Sequence, residues 1–250
     1  MIEEGVLEGV DAAYALHITP NCPSGLVAGR AGAIMAAADV FHITVSGAGG
    51  HASTPHFAID PVTIAAHVVT AIQTMVTREI HVFEPAIVSI TQIEAGTTTN
   101  VIPETAKLAG TIRTMSPGTR DQVHLAIDRV ARNVAATFNA TADVSIETGY
   151  PVMLNHEGPV ELVKRASETV LGERKFLELP FPVMGAEDFS YILEKVPGCM
   201  SLLGVCPDHI ENSLEAPACH SNKMMLHEPA MANGMAVHAA TALAALDELR

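Results

Sequence analysis

Three histidines are the residues of this chain best placed to do chemistry: His17, His51 and His220. An imidazole can bind a metal ion, and near neutral pH it can also donate a hydrogen bond or a proton. A hydrolytic metal centre needs imidazole nitrogens and carboxylates that converge on the ion, with one position left for water. His17 and His220 are candidates for metal ligands, and His51 is a candidate hydrogen-bond or proton donor.

His51 follows a glycine-rich stretch, Gly47-Ala48-Gly49-Gly50. The alternating run at residues 40–45 predicts a strand that delivers these glycines to a surface loop. Glycine permits positive φ and close approach of the backbone to a neighbour, so we expect His51 to be presented rather than packed. The alternative is a flexible hairpin tip with a solvated histidine.

His17 lies near the end of an apolar run at residues 11–18, which predicts a short strand buried on both faces. Ligands bind at the carboxyl ends of strands in open α/β sheets, so this position favours function. A structural histidine with satisfied hydrogen bonds is the alternative. His220 falls in a loop at residues 220–223, where an exposed histidine without a role is the alternative.

Composition narrows the classes of function. The formal charge of −14 argues against nucleic acid and anionic membrane surfaces as partners. No signal-like N-terminus and no bilayer-spanning apolar run is found, which predicts a cytoplasmic protein. The four cysteines form no C-x-x-C pair and are expected to be buried free thiols. Cys219 beside His220 could be a metal ligand, but adjacent side chains rarely converge on one ion.

The middle of the chain has the order β-α-β-β-α-β. After the strand at 40–45, Asp60-Pro61 predicts a helix start, and strands follow at 86–93 and 106–113, with a loop at 96–103 between them. Thr119 and Gln122 form the pattern of a capping box for a second helix, and a strand at 141–148 closes the unit. This order is ferredoxin-like, with two helices on one face of a four-stranded sheet. The other face and the edge strands then need partners.

The remainder has α/β character. A helix is predicted to begin at Gly158-Pro159 and to end at Gly172, with four inward apolar residues: Val160, Val163, Ala166 and Val170. A short helix is predicted to begin at residues 187–189, a buried strand spans residues 200–205, and Glu228-Pro229 begins a long C-terminal helix.

Five motifs occur in a fixed order and carry a resemblance. They are Gly49-Gly50-His51-Ala52-Ser53-x-Pro55-His56, Asp60-Pro61, Asn100-Val101-Ile102-Pro103, Gly110-Thr111-Ile112-Arg113 and Gly185-Ala186-Glu187-Asp188-Phe189. The chain resembles the aminoacylase and hippurate hydrolase family of metal-dependent amidohydrolases, which includes the hydrolases of indole-acetyl amino acids. The resemblance implies an α/β zinc-peptidase-like catalytic domain at residues 1–36 and 149–250, with an inserted α+β ferredoxin-like lid domain at residues 37–148. It also implies a homodimer formed through the lid.

The resemblance further implies roles for individual residues. His17 and His220 match metal ligands, for a divalent ion that is zinc first, with manganese or cobalt as alternatives. His51 matches the lid histidine that stabilises the oxyanion in the neighbouring subunit, and two residues match those that hold the substrate carboxylate: Asn100 and Arg113. Gly185 and Glu187 match the pocket lining. The alternatives are that Asn100 caps a turn, that Arg113 pairs with a surface acid and that Glu187 caps a helix.

Two segments of the family are not found in this sequence. They are a Cys-Gly-His-Asp segment and a Glu-Glu pair, which supply further metal ligands and the general base. Glu3-Glu4 is expected to be exposed on a helix instead. The expected activity is hydrolysis of N-acyl or aryl-acyl amino acids, with the chain as given incomplete and inactive alone. The alternative is a non-catalytic truncated relative that acts as a dimerising or carboxylate-binding module.

Overall fold

The computed structural model describes residues 1–248, which form two compact units. The first unit comprises Met1–Met35, Met153–Val183 and the chain from Glu187 onward, and the second comprises Ala36–Val152 with Met184–Ala186. The strands are β1 (Ala13–Thr19), β2 (Val27–Gly29), β3 (Gly32–Met35), β4 (Ala37–Ser46), β5 (Gly50–His51), β6 (Ala86–Ala95), β7 (Val101–Ile102), β8 (Thr105–Thr114), β9 (Thr141–Thr148), β10 (Met153–Asn155), β11 (Phe176–Glu178) and β12 (Gly198–Gly204). The helices are α1 (Pro61–Glu79), α2 (Pro117–Thr137), α3 (Glu157–Leu171), α4 (Phe189–Leu193) and α5 (Ala230–Glu248).

The second unit has the predicted β-α-β-β-α-β order. Its antiparallel sheet has the strand order β6-β8-β4-β9, and α1 and α2 pack together on one face. Alternate residues of β4 and β8 point into a core that includes Phe41, Ile43, Leu108 and Ile112, all at most 2% exposed. The inward-facing residues of these strands and the apolar stripes of the helices therefore pack together in one layer.

The starts of the two helices differ in how well the sequence predicted them. Asp60 accepts a hydrogen bond from the amide of Val62 at 2.9 Å, and Pro61 occupies the first helical position, as predicted. The prediction of a capping box at Thr119 and Gln122 is wrong. Ser116 caps α2 instead and accepts from the amide of Thr119 at 3.2 Å, because Pro117 fits the first helical position and fixes the start there.

A short ribbon of two strands, β5 and β7, carries His51. Gly50 pairs with Ile102 and His51 with Val101, within a segment predicted as loop. The preceding glycines do not take positive φ, which corrects the expectation. Close approach explains Gly47, because a Cβ there would lie well inside 3.0 Å of the Ile59 carbonyl oxygen.

A buried carboxylate joins three elements of the second unit. The side chain of Asp39 on β4 is fully buried and accepts hydrogen bonds from four groups. They are Nε of Arg120 at 2.9 Å, a second Arg120 nitrogen, Nε2 of His124 at 2.7 Å and the amide of Gly149 at 2.9 Å. Burial alone would raise the pKa of Asp39, but these donors outweigh it and hold the pKa well below its usual range. Every charge in this cluster is compensated by a partner.

The first unit is built on a sheet of four strands, β1-β12-β2-β11, with β12 parallel to β1 and antiparallel to β2. All of β12 is buried, as predicted for residues 200–205. The prediction that β1 is buried on both faces is wrong. Every residue of β1 is only half-buried, because β1 lies at the edge of this sheet in the part of the chain that the structure describes.

Helices α3 and α5 pack against each other beside the sheet of the first unit. Gly172 ends α3 with φ 99°, as predicted, whereas Val170 is 42% exposed and not inward. Three cysteines are buried free thiols as expected, whereas the free thiol of Cys219 is only half-buried. Burial raises the pKa of Cys22 to about 11 and of Cys199 to about 12. Among residues 1–248, no helix combines the length and apolarity that a membrane crossing requires.

Candidate active site

The ring of His17 is held in one orientation at the end of β1. Its Nδ1 lies 2.6 Å from the carbonyl oxygen of Ile18. A carbonyl oxygen can only accept, so Nδ1 carries the proton and Nε2 of the neutral ring presents a bare lone pair. The side chain is 36% exposed, so this lone pair is accessible. This is the arrangement that fixes the tautomer of metal-binding histidines.

Glu187 lies opposite that lone pair. Its Oε2 is 4.0 Å from Nε2 of His17, and its Oε1 accepts from the amide of Asp188 at 3.1 Å. Burial raises the pKa of the Glu187 carboxyl, and the side chain of Asp188 adds to the rise, whereas the amide of Asp188 opposes it. The sequence predicted Glu187 as a pocket residue, and the structure places it beside a predicted metal ligand.

The loop that contains His220 is anchored at the same end of β1. Sγ of Cys219 donates to the carbonyl oxygen of Ile18 at 3.6 Å, so this oxygen accepts from both Cys219 and His17. His220 itself is exposed and has φ 72°, an uncommon backbone conformation for a residue other than glycine. Strain of this kind concentrates at functional sites.

These groups do not amount to a metal site by themselves. Within residues 1–248, no group of three or more His, Cys, Asp or Glu side chains is placed to hold an ion. His17 and Glu187 form a pair with one ring nitrogen and one carboxylate, whereas structural and catalytic zinc sites use three or four protein ligands. The residues present therefore fit part of a metal site and not a complete one.

His51 has the opposite tautomer from His17. The amide of Ser53 donates to Nδ1 of His51 at 3.2 Å, and the Ser53 hydroxyl oxygen lies 2.8 Å from the same nitrogen. An amide can only donate, so Nδ1 is the acceptor and Nε2 of the neutral ring carries the proton. The ring is exposed, so His51 presents an N–H donor to its surroundings.

Asn100 is brought to the same ribbon. Its carbonyl oxygen accepts from the amide of Ala52 at 3.1 Å, and its side-chain oxygen accepts from the Thr98 hydroxyl at 3.1 Å. The side-chain amide nitrogen makes no hydrogen bond within residues 1–248. His51 and Asn100 therefore form one cluster in which two neutral donors face outward.

Arg113 lies on the face of the sheet opposite α1 and α2, across from Ala38 on β4 and Ile87 on β6. Its guanidinium donates to the Thr111 hydroxyl and to the carbonyl oxygen of Ile112. In the described chain it forms no ion pair, so pairing with a surface acid is not what the structure shows. Its positive charge remains available to an anion.

Gly185 has space around it. A Cβ built at this position would meet no heavy atom within 4 Å, and its carbonyl oxygen accepts from the amide of Ala36 at 2.8 Å. The backbone there is exposed. The backbone of Gly185 is therefore open to contact by a ligand.

Sequence reasoning missed the polar partners of the site residues. Ser53, Thr98 and Thr111 each hydrogen-bond the side chain of a predicted site residue. All three lie two residues from the group that they contact, and each is a hydroxyl residue. Hydroxyl side chains two residues away are a signal of local hydrogen bonding, and this signal could have found them.

Comparison with known proteins agrees with these motifs. Residues 37–139 match the family described as the peptidase dimerisation domain of M20 type. The chain is 36% identical over 97% of its length to thermostable carboxypeptidase 2 of Saccharolobus solfataricus, of which it covers 60%, and 33% identical over 99% of its length to an IAA-amino acid hydrolase of Arabidopsis thaliana, of which it covers 56%. It is also similar to the crystal structure of a dinuclear metal-binding peptidase of the M20 family from Bacillus subtilis, with TM-score 0.80, 28% identity and coverage of 98% of this chain and 60% of that one.

These matches confirm the resemblance. Over the part that it spans, the chain is similar to hydrolases and peptidases of the M20 family, and residues 37–139 of the second unit match the peptidase dimerisation domain. The chain spans 56–60% of the length of these relatives.

Proposed function

We propose that this chain is part of an M20-type hydrolase that cleaves the amide of N-acyl amino acids. The observation that carries the proposal is the opposite tautomers of His17 and His51. One histidine presents a lone pair to a cation and the other presents an N–H to an anion. Metal-assisted amide hydrolysis can use both groups, because an imidazole lone pair would help to hold the ion and an N–H donor would stabilise the negative charge that develops on the amide oxygen.

The proposal assigns a step to each side chain. Nε2–H of His51 stabilises the oxyanion of the tetrahedral intermediate by donating a hydrogen bond to it. Arg113 and the side-chain amide of Asn100 hold the α-carboxylate of the amino acid, since the guanidinium has no competing carboxylate among the described residues. Glu187 and the backbone of Gly185 line the pocket.

The proposal includes a divalent metal ion that this chain would bind only in part. His17 and His220 would contribute to binding a divalent ion, zinc first, with manganese or cobalt as alternatives. We propose that the further ligands come from a segment that corresponds to the part of the relatives not spanned by this chain. When bound, the ion supplies Lewis-acid activation of water and of the amide carbonyl.

The arrangement of the domains is part of the proposal. Residues 37–148 form a lid inserted in a catalytic domain, and the lid pairs with its copy in a homodimer. Within the second unit, β6 and β9 are the edges of the sheet in the described chain, and an unpaired edge can add a strand from a second copy. Location in the cytoplasm stays a prediction from the sequence.

A paired-substrate assay tests the function. Hydrolysis of N-acetyl and N-benzoyl amino acids in the presence of zinc or cobalt would be compared with hydrolysis of the corresponding carboxamides, which lack the α-carboxylate. The proposal expects cleavage of the acids and little cleavage of the carboxamides. Equal rates on both, or cleavage that persists after chelation of the metal, would overturn it.

A binding module without catalysis is the second candidate. The observation that favours it is the lack of three grouped metal-binding side chains within residues 1–248. Calorimetry with an N-acyl amino acid separates the two candidates. The module is supported if binding depends on Arg113 and no amino acid is released at any metal concentration. Turnover would support the enzyme.

A further inference from the structure

One residue places two donors on the same nitrogen of His51. The amide of Ser53 lies 3.2 Å from Nδ1 and its hydroxyl oxygen lies 2.8 Å from Nδ1. Because the amide has already required Nδ1 to be a lone pair, the hydroxyl must donate to it as well. Both bonds come from a residue two positions away, so they form as soon as the turn forms.

The backbone of this turn is fixed by bonds that do not involve the ring. The amide of Thr54 donates to the carbonyl oxygen of His51 at 2.9 Å, and the amide of Ala52 donates to the carbonyl oxygen of Asn100 at 3.1 Å. His51 is also paired with Val101 across the ribbon. The remaining freedom is rotation of the exposed imidazole.

We propose that Ser53 is a positioning residue for His51. Its amide and hydroxyl together hold the neutral imidazole in the Nε2–H tautomer and fix the direction in which that N–H points. Without the hydroxyl, a half-turn of the ring or transfer of the proton to Nδ1 would remove the outward donor in part of the molecules. The effect on rate depends on the proposed function, but the tautomer is a property of this chain alone.

Nitrogen-15 NMR of the full chain, labelled at histidine, tests the tautomer directly. The nitrogen shifts of a neutral imidazole distinguish a protonated nitrogen from a bare one. His51 is expected in the Nε2–H form in the unmodified chain, with a second population appearing in Ser53→Ala and disappearing again in Ser53→Thr, which restores the hydroxyl. Ser53→Val provides the same shape as threonine without the donor and should behave like alanine.

A control in the same turn separates this role from general support of the loop. The Thr54 hydroxyl donates to the carbonyl oxygen of His51 at 3.4 Å and does not contact the ring. Thr54→Ala should leave the tautomer of His51 unchanged. If His51 is chiefly in the Nδ1–H form in the unmodified chain, or if its populations are the same in Ser53→Val and Ser53→Thr, the proposal is wrong.

An assay with active enzyme extends the test. One hydrogen bond of this kind corresponds to a rate change of about threefold to tenfold, so Ser53→Ala should lower kcat by that factor with KM unchanged, and Ser53→Thr should restore it. A chain with no hydrolytic activity but with the expected tautomers would overturn the proposed function and leave the role of Ser53 intact. Activity that is equal in Ser53→Val and Ser53→Thr would do the reverse.

Discussion

Nε2 of His17 faces Oε2 of Glu187 at 4.0 Å, with the other ring nitrogen bonded to the carbonyl oxygen of Ile18. This geometry leaves a lone pair and a carboxylate oxygen on the two sides of a gap that a cation could occupy. His42 is another histidine with a carboxylate neighbour, and its Nε2 lies 3.4 Å from Oε1 of Glu147 on an exposed sheet face. The two pairs allow a matched comparison.

We expect His17→Gln to lower the affinity for zinc by about tenfold or more, because it removes a proposed ligand with a fixed tautomer. Competition with a chromophoric chelator measures the affinity. His42→Gln removes the histidine of the comparison pair and should leave the affinity unchanged. Equal losses in the two variants would mean that zinc binds at the surface without selectivity.

His51→Ala should lower kcat by about 10²–10³-fold with a small effect on KM, because the donor acts on the oxyanion and not on the bound substrate. Steady-state kinetics on an N-acyl amino acid measures both parameters. His56 lies in the same loop and its ring stacks at a tilt on Phe57, with the centroids 4.1 Å apart. His56→Ala is therefore the control, and a loss of kcat in this variant as large as in His51→Ala would contradict the assigned role.

Replacement of Arg113 should act on substrate binding. Arg113→Met removes a charged hydrogen bond worth about 1.5–3 kcal/mol, so KM for an N-acyl amino acid should rise by roughly 10–100-fold. The carboxamide substrate should show no such rise. Lys107 lies on the same strand, six residues before Arg113, directly opposite Glu94. Lys107→Met tests whether any cation of β8 has this effect, and we expect it to leave KM unchanged.

The cluster around Asp39 predicts the dependence of stability on pH. The pKa of Asp39 is lowered in the folded protein, so its contribution is complete above the unfolded-state pKa of about 4 and is lost progressively as the pH falls toward the folded-state pKa. Asp39→Asn leaves Arg120 and His124 without their carboxylate and should lower the free energy of unfolding at pH 7 by about 3–5 kcal/mol. Urea denaturation at pH 7 and pH 3 should show a smaller difference between variant and unmodified chain at the lower pH.

Asp143→Asn is the control for this measurement, because Asp143 is exposed on β9 and belongs to the same unit. We expect a change of at most about 0.5 kcal/mol at either pH. A difference for Asp39→Asn that is the same at both pH values would show that the carboxylate charge is not what the cluster requires.

Gly110 predicts a loss of stability that arises from packing. A Cβ at this position on β8 would lie well inside 3.0 Å of the carbonyl oxygen of Ser89 and of the ring of Phe41, which is fully buried. Gly110→Ala should therefore lower the free energy of unfolding by about 1–3 kcal/mol or more. Gly118→Ala places the same methyl group in the first turn of α2, where nothing lies within 4 Å, and should have no destabilising effect.

The elements of the second unit could be predicted because their signals are local. Asp60-Pro61 predicts the start of α1, and the alternation of residues 40–45 predicts a strand. Ser116 was missed in favour of Thr119 because both are hydroxyl residues that can cap a helix, and the proline between them decides which one does. The choice required weighing two local signals against each other.

The geometry of the site depends on contacts that the sequence does not state. The edge position of β1 follows from the order of strands in the sheet, which brings β12 to the centre from far along the chain. The joint anchoring of His17 and Cys219 on the carbonyl oxygen of Ile18 spans more than two hundred residues. No periodicity in the sequence predicts such a contact. His17 could be chosen as a candidate metal ligand only from its residue type and its family motif.

Asp39 lies directly opposite Thr148 in the sheet, so the strand that opens the second unit and the strand that closes it are immediate neighbours. The continuous segment Ala36–Val152 of this unit thus begins and ends on adjacent strands, and Arg120 contacts both Asp39 and Gly149 there. A module with adjoining termini can be excised, circularised with a short linker or grafted into another host without cutting through its core.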